Sequence, residues 1–182
     1  MKNLKNSLSI LLMFFLATTC YGQIGATLGY GSSKAKIEAM GIKIDGESAG
    51  AFSLGLVYDL ELADKLDLQP YLSFGIGEKI EEKSNNAIGL GADLQFYVAG
   101  KDKGFYVDAG LGWSKSLYDY EDGEDDDIKT SGFGLGLGLG YDITEAFNIN
   151  VTYARSLTNY SEIDDVKLSS AGFGIQLQYL FN

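Results

Sequence analysis

Two groups of carboxylates are placed as if to do chemistry. Asp93 and Asp108 fall on the polar faces of two neighbouring alternating segments, where a pair of acids can divide the roles of proton donor and proton acceptor. The competing role for such a pair is a hydrogen-bonded structural network. The stretch YDYEDGEDDD gathers Asp119, Glu121, Asp122, Glu124, Asp125, Asp126 and Asp127, oxygen ligands of the kind a hard cation such as calcium takes. Its spacing is not that of an EF-hand, which wants alternating acids with Gly at the sixth place and Glu at the twelfth. A self-repelling solvated loop, or divalent bridging to lipid phosphates, fits the run better. The chain has no histidine and a single cysteine, Cys20, so the usual zinc ligands and the commonest general base are missing. The expectation is no catalytic residue, no metal site, no cofactor and no enzymatic activity.

The remaining composition describes the scaffold. Twenty-four glycines stand against one proline in 182 residues, with 12 Tyr and 10 Phe. Glycine weakens helix interiors and aromatics favour strands, so a helical bundle is disfavoured. Fourteen basic residues against 25 acidic ones give a formal charge of −11, which repels phosphate backbones and excludes nucleic acid as a partner.

Residues 1–22 have the pattern of an export signal. Lys2 and Lys5 precede the apolar run ILLMFFLA, and Gly22 offers a small residue before a cut at Gln23. The run is too short to span a bilayer as a helix. A lipidated Cys20 is the alternative, but Thr19 and Ala17 stand where that signal wants a small residue and a Leu-like one. Cleavage after Gly22 leaves a domain of residues 23–182 with 12 basic and 25 acidic side chains, a net charge of −13, and no cysteine.

Through that domain apolar residues recur at every second position, the period of a strand. The first three runs are Ile24 to Tyr30, Phe52 to Tyr58 and Leu66 to Ile76. Three more span Ile88 to Val98, Phe105 to Trp113 and Phe133 to Tyr141, and the last two run from Phe147 to Tyr153 and from Phe173 to Phe181. Short links near 60–65, 99–104 and 142–146 alternate with longer polar ones near 32–48, 78–86, 116–130 and 157–169. An all-β chain of eight antiparallel strands, with short turns at one end and long loops at the other, predicts an up-and-down transmembrane β-barrel.

The faces of the strands decide between lipid and water as the surrounding solvent. Opposite the apolar set lie Asp67, Gln69, Tyr71, Ser73, Asp93, Gln95, Asp108, Asn148, Asn150, Gln176, Gln178 and many glycines, which would not make a dry core. Turned inward they line a lumen, and the apolar set faces lipid. Outward aromatics gather at both strand ends, six to eight residues apart along several strands, as two interfacial girdles do. Pro70 is the exception, because it cannot donate to a ladder and a closed barrel has no edge to hide it; a bulge near the short-turn half of its strand is expected. The predicted location is the cell outer membrane, crossed by every strand after signal cleavage.

The ending CYGQ of the export signal, the segment LDLQPYLSFGIGEK around Pro70 and the final GIQLQYLF resemble the OmpA/OmpX-like outer-membrane β-barrel domain, in particular the PorT-like barrels of the Bacteroidota. The resemblance covers all of residues 23–182 and speaks for architecture more than for role. It implies insertion by the barrel-assembly machinery, for which Gly174, Leu177 and Tyr179 stand at the spacing of the terminal-strand signal, with Phe181 replacing a terminal aromatic because Asn182 is last. No periplasmic peptidoglycan-binding domain is expected to follow, which would set the chain apart from full-length OmpA, and the resemblance admits an accessory role in secretion or envelope assembly.

Sorted by height, the inward residues are large at the short-turn end and small at the other. Gln69, Tyr71, Gln95, Tyr97, Tyr106, Asp108, Gln176 and Gln178 are expected to plug the lumen, below a vestibule lined by glycine and serine. The sixth strand has glycine at every inward place from Gly132 to Gly140, bare backbone able to receive Tyr106 from across the lumen. Two functions follow. One is a non-enzymatic integral membrane protein whose barrel anchors long acidic external loops for a partner outside or in the periplasm, a surface or outer-membrane lipid. The other is a narrow pore or solute-binding protein that uses the lumen.

Overall fold

The computed structural model describes residues 22–78, 85–100, 104–117 and 128–181. Eight strands follow one another: β1 (Gly22–Ala39), β2 (Ile42–Ala63), β3 (Leu66–Gly77), β4 (Asn86–Tyr97), β5 (Phe105–Ser116), β6 (Ser131–Asp142), β7 (Phe147–Ser156) and β8 (Val166–Leu180). Each pairs antiparallel with the next, and β8 pairs with β1 to close the barrel. Followed once round, the ladder partners run from Gly22 through Leu60, Leu68, Leu94, Ala109, Leu137, Tyr153 and Phe173 to Ser32, ten residues further along β1. That stagger over eight strands, with about 3.4 Å per residue and about 4.8 Å between strands, fixes the tilt at about 42°.

The burial pattern is that of a water-soluble protein turned inside out. Among the described residues the buried apolar side chains are Val57, Tyr97, Tyr106 and Leu180, against eleven buried polar or charged ones. Leu28, Leu54, Leu90, Leu137 and Ile175 stand on the outer wall, Leu137 with 55% of its surface exposed. With tilt and register applied, Tyr58, Phe96, Phe105, Tyr141, Phe147 and Tyr179 share one level. Tyr30, Phe52, Phe74, Trp113, Phe133, Tyr153 and Phe173 share another, about 18 Å higher. Cross-strand rings touch in the upper girdle, Tyr30 with Phe52 and Tyr153 with Phe173, each at 4.9 Å between centroids.

Two expectations about the chain path are corrected. Residues 32–48 are not a loop: β1 and β2 continue past the upper girdle and meet in a two-residue turn at Met40 and Gly41, both with positive φ (51° and 79°), as a type I′ hairpin requires. β8 follows them outward, its pairing with β1 unbroken from Leu180 opposite Gly25 to Val166 opposite Ala39, so the link after β7 ends at 165 and not at 169. Polar side chains in this stretch read as loop because the strands have left the lipid. Nor does the chain bulge at Pro70. The β2–β3 ladder skips two steps, Tyr58 opposite Pro70 and Asp59 opposite Gln69, and resumes in the same register at Leu60 and Leu68, while Pro70 stays in register with Ala92 on β4. The irregularities lie elsewhere, at Glu61/Ala63 beside a short turn and at Lys34/Lys36, where β2 places Gly46 and Glu47 opposite Ala35.

Candidate functional site: the barrel interior

Strand alternation turns every second side chain into the lumen, and the shear brings those of equal height together. At the short-turn end Tyr106 is fully buried, its ring 5.4 Å from that of Tyr97 and its hydroxyl donating to Asn148 Oδ1 at 3.4 Å. Tyr106 lies against Gly140, where an added Cβ would overlap its ring. Gly140 is its direct ladder partner on the adjacent β6, so the glycine accommodates a neighbour and not a side chain from across the lumen. The arrangement repeats: Asp108 lies over Gly138, Asp93 over Gly110, and the Tyr71 hydroxyl beside Gly91 and Gly112. Gly91, Gly110, Gly138 and Gly140 each give their space to a polar side chain from a neighbouring strand.

Hydrogen bonds tie the cluster together. Gln95 Nε2 donates to Gln69 Oε1, and Gln69 Nε2 to Asp59 Oδ1, both at 2.9 Å, linking β4, β3 and β2. Asn150 Nδ2 donates to Asp108 Oδ2 at 2.5 Å, and Thr152 Oγ1 to Asn150 Oδ1 at 2.5 Å, linking β7 to β5. Bonds to a carboxylate acceptor are the stronger kind, while Gln95 Oε1 and Gln178 Nε2 in the same cluster are buried with no hydrogen-bond partner among the described residues.

The structure brings Gln69, Gln95, Tyr97, Tyr106, Asp108 and Gln178 into this cluster as buried residues, and leaves Tyr71 and Gln176 half-buried above them on the wall of a cavity. Asp93 lines the same cavity with Asp108, which is held by Asn150 as part of the network. Asp59 and Asp67 are equally buried. Asp59 was missed although its odd number on β2 opposes the outward even set, so parity alone could have found it. Above the cluster the lumen opens into a vestibule of about 360 Å³ among Gly29, Ser53, Ser73, Gly89, Gly112 and Thr152, and the lining residues include no lysine or arginine. At the mouth Tyr160 lies against Gly132, and the 157–161 segment is bonded to its surroundings: Phe133 N donates to Thr158 Oγ1 at 2.7 Å, and Leu168 N to Asn159 Oδ1 at 2.7 Å. The acidic run Asp119 to Asp127 lies outside the described residues, as does the export segment up to residue 21.

An apolar wall of about 18 Å between two aromatic levels, closed around a polar interior, defines an eight-stranded outer-membrane barrel that crosses the membrane with every strand. The chain belongs to the outer membrane protein beta-barrel domain family, whose family model matches residues 11–181. Among solved structures it is similar to Neisserial surface protein A, with 18% identity, a TM-score of 0.53, and coverage of 86% of this chain and 97% of that one. Ail, the attachment invasion locus protein of Yersinia pestis, is 17% identical with a TM-score of 0.44, covering 86% of this chain and 99% of that one. OprG of Pseudomonas aeruginosa is 18% identical with a TM-score of 0.42, covering 89% and 97%. No curated protein matches the chain. The protein resides in the outer membrane.

Proposed function

We propose that this barrel is a non-enzymatic membrane anchor, plugged in its short-turn half, whose outer connections engage a partner, a surface or lipid. The observation that supports it most is the filled interior: eight strands leave room for little more than side chains, and here Tyr97, Tyr106 and the linked Gln95, Gln69 and Asp59 take it up. In planar bilayers the unmodified protein should conduct poorly, and Tyr97→Ala with Tyr106→Ala should raise conductance. The current should be carried by cations, because Asp93 and Asp108 line the passage with no basic residue among the lining ones. High, steady conductance of the unmodified protein overturns the plug and leaves the second reading, a solute-binding or transport role for which the vestibule is the supporting observation. The acidic connection from Asp119 to Asp127 is the external loop in this reading, a solvated contact surface.

In the same proposal residues 1–22 are an export signal removed before Gln23, and the assembly machinery reads the last strand. N-terminal sequencing of protein from the membrane should begin at Gln23; a lipid on Cys20 would overturn that cut. The narrower PorT-like reading adds a periplasmic partner in secretion or envelope assembly, which affinity capture from periplasmic extract tests.

A further inference from the structure

The basic residues of this acidic chain are not spread evenly. Of the eight described Lys and Arg residues, five lie on β7, β8, β1 and β2 above the upper girdle or level with it, and all five share the outward face: Arg155, Lys167, Lys34, Lys36 and Lys43. Ladder register sets them side by side. Arg155 pairs with Ala171, which pairs with Lys34; Ser169 pairs with Lys36; Lys167 pairs with Glu38, which pairs with Lys43. Neighbouring strands are about 4.8 Å apart, so Arg155 and Lys34 flank Ala171 with about 10 Å between their backbones, and Lys36 stands two residues higher. The short side chains of Ala171 and Ser169 leave a groove of about 470 Å³ there, lined by Arg155, Lys36, Lys43 and Lys167.

The charge on this face is compensated only in part. Among the described residues the ion pair is Lys43 with Glu38 at 3.7 Å. Asp45 is the other acid at the groove, opposite Lys36 in the ladder. Lys34, Lys36, Arg155 and Lys167 have no ion-pair partner among the described residues. With the tilt of the barrel, the groove begins at the level of Tyr153 and Phe173; Arg155, two residues above Tyr153, is about 5 Å higher, within a headgroup layer of about 5–7 Å, and the lysines stand above it.

We infer that this groove is a binding site for the phosphate of an anionic lipid in the outer leaflet. The guanidinium of Arg155 gives a fork that matches two phosphate oxygens, and Lys34 and Lys36 supply point charges from the next strand but one. The acyl chains of the same lipid would descend along Tyr153, Phe173 and the aliphatic wall below. This goes beyond the anchor proposal and needs only the outer-membrane location and the facing of the strands.

The test uses the full barrel, refolded and exchanged into detergent with phosphatidic acid and phosphatidylcholine as probes, with retained lipid counted by native mass spectrometry. The unmodified protein should retain phosphatidic acid in preference to phosphatidylcholine. The triple variant Lys34→Gln, Lys36→Gln, Arg155→Gln should lose that retention by about fivefold for each cation removed. A charge-matched control, Lys65→Gln, Lys115→Gln, Lys129→Gln, should keep it, and a heat-modifiable gel shift should show all three proteins folded. Equal loss in the control overturns the site in favour of general charge attraction. Inorganic phosphate, added alone, should not bind measurably; saturation by it at the same concentration overturns the lipid assignment in favour of the free anion.

Discussion

Along β1 the residues from Ile24 to Tyr30 and those from Ser32 to Ala39 belong to one unbroken strand, yet they put their apolar side chains on opposite faces. In the lower part Ile24, Leu28 and Tyr30 point outward and Thr27 is buried inside. In the upper part the outward places hold Lys34, Lys36 and Glu38, and the inner face holds Ala35, Ile37 and Ala39, joined through the ladder by Ile42 and Ile44 on β2 and by Val166 and Leu168 on β8. Secondary structure does not change at the girdle; the solvent does. Lipid on the outside demands apolar side chains there, and water or headgroups on the outside demand polar ones, so the apolar residues of the extension move to the inner face, where Ile42 and Ile44 keep 65% and 57% of their surface exposed.

The largest expected effect breaks this comparison if it fails. Leu137→Arg, on the outer wall between the girdles, should cost about 2–4 kcal/mol of folding stability in vesicles, whereas Ser169→Arg, on the same outward face above the girdle, should stay within about 0.5 kcal/mol. Denaturant midpoints for refolding into lipid give both numbers. Equal effects would mean that the membrane boundary lies elsewhere, and a neutral Leu137→Arg would mean that every facing is shifted by one residue.

A somewhat smaller effect sharpens the comparison on the inner face of β6. Gly140→Ala drives a methyl into the Tyr106 ring, and overpacking a filled interior costs about 1–3 kcal/mol. Gly136→Ala meets only the Thr152 methyl, at 3.3 Å, beside the open vestibule, and should be nearly neutral. Adding Tyr106→Ala should relieve most of the Gly140→Ala penalty in a double-mutant cycle. No relief would place Tyr106 elsewhere.

Parity made the wall and the lumen legible in the sequence, because a period of two leaves no freedom once one face is known: Leu137 out implies Gly136 in, and Tyr97 in implies Phe96 out. Three features were not legible. In the outer half of β1 the apolar set moves to the odd parity of Ile37, and in β2 the extra residue at Gly46 and Glu47 turns Ile42 and Ile44 to the inner face although they keep the even parity of Phe52, so parity carried up from the wall misplaces them. Pro70 reads as a bulge because the missing donor is visible in sequence, while the ladder's capacity to skip two steps and keep register is not. The partner of each lumen glycine depends on shear, which no local pattern encodes, so Gly140 was assigned a guest from across the barrel when register gives it the adjacent Tyr106.

The smallest effect tests whether the extension is a formed hairpin at its tip. Met40 is 95% exposed and sits at φ 51°, in the left-handed region where a side chain larger than Asn or Asp costs about 1 kcal/mol. Gly41 follows at φ 79°, so the pair has the backbone of a type I′ turn with its second residue already the favoured one. Met40→Asn supplies the preferred first residue and should strengthen the tip by about 0.5 kcal/mol, seen as slower hydrogen exchange of the Ala39 and Ile42 amides with no change in the global unfolding midpoint. Met40→Val puts a β-branched residue at the same angle and should speed that exchange by a similar factor. Because no wall contact is touched, both changes should leave lipid insertion as it was. If the two variants exchange alike, residues 32–48 do not form the paired extension, and the inversion of faces above the girdle loses its framework.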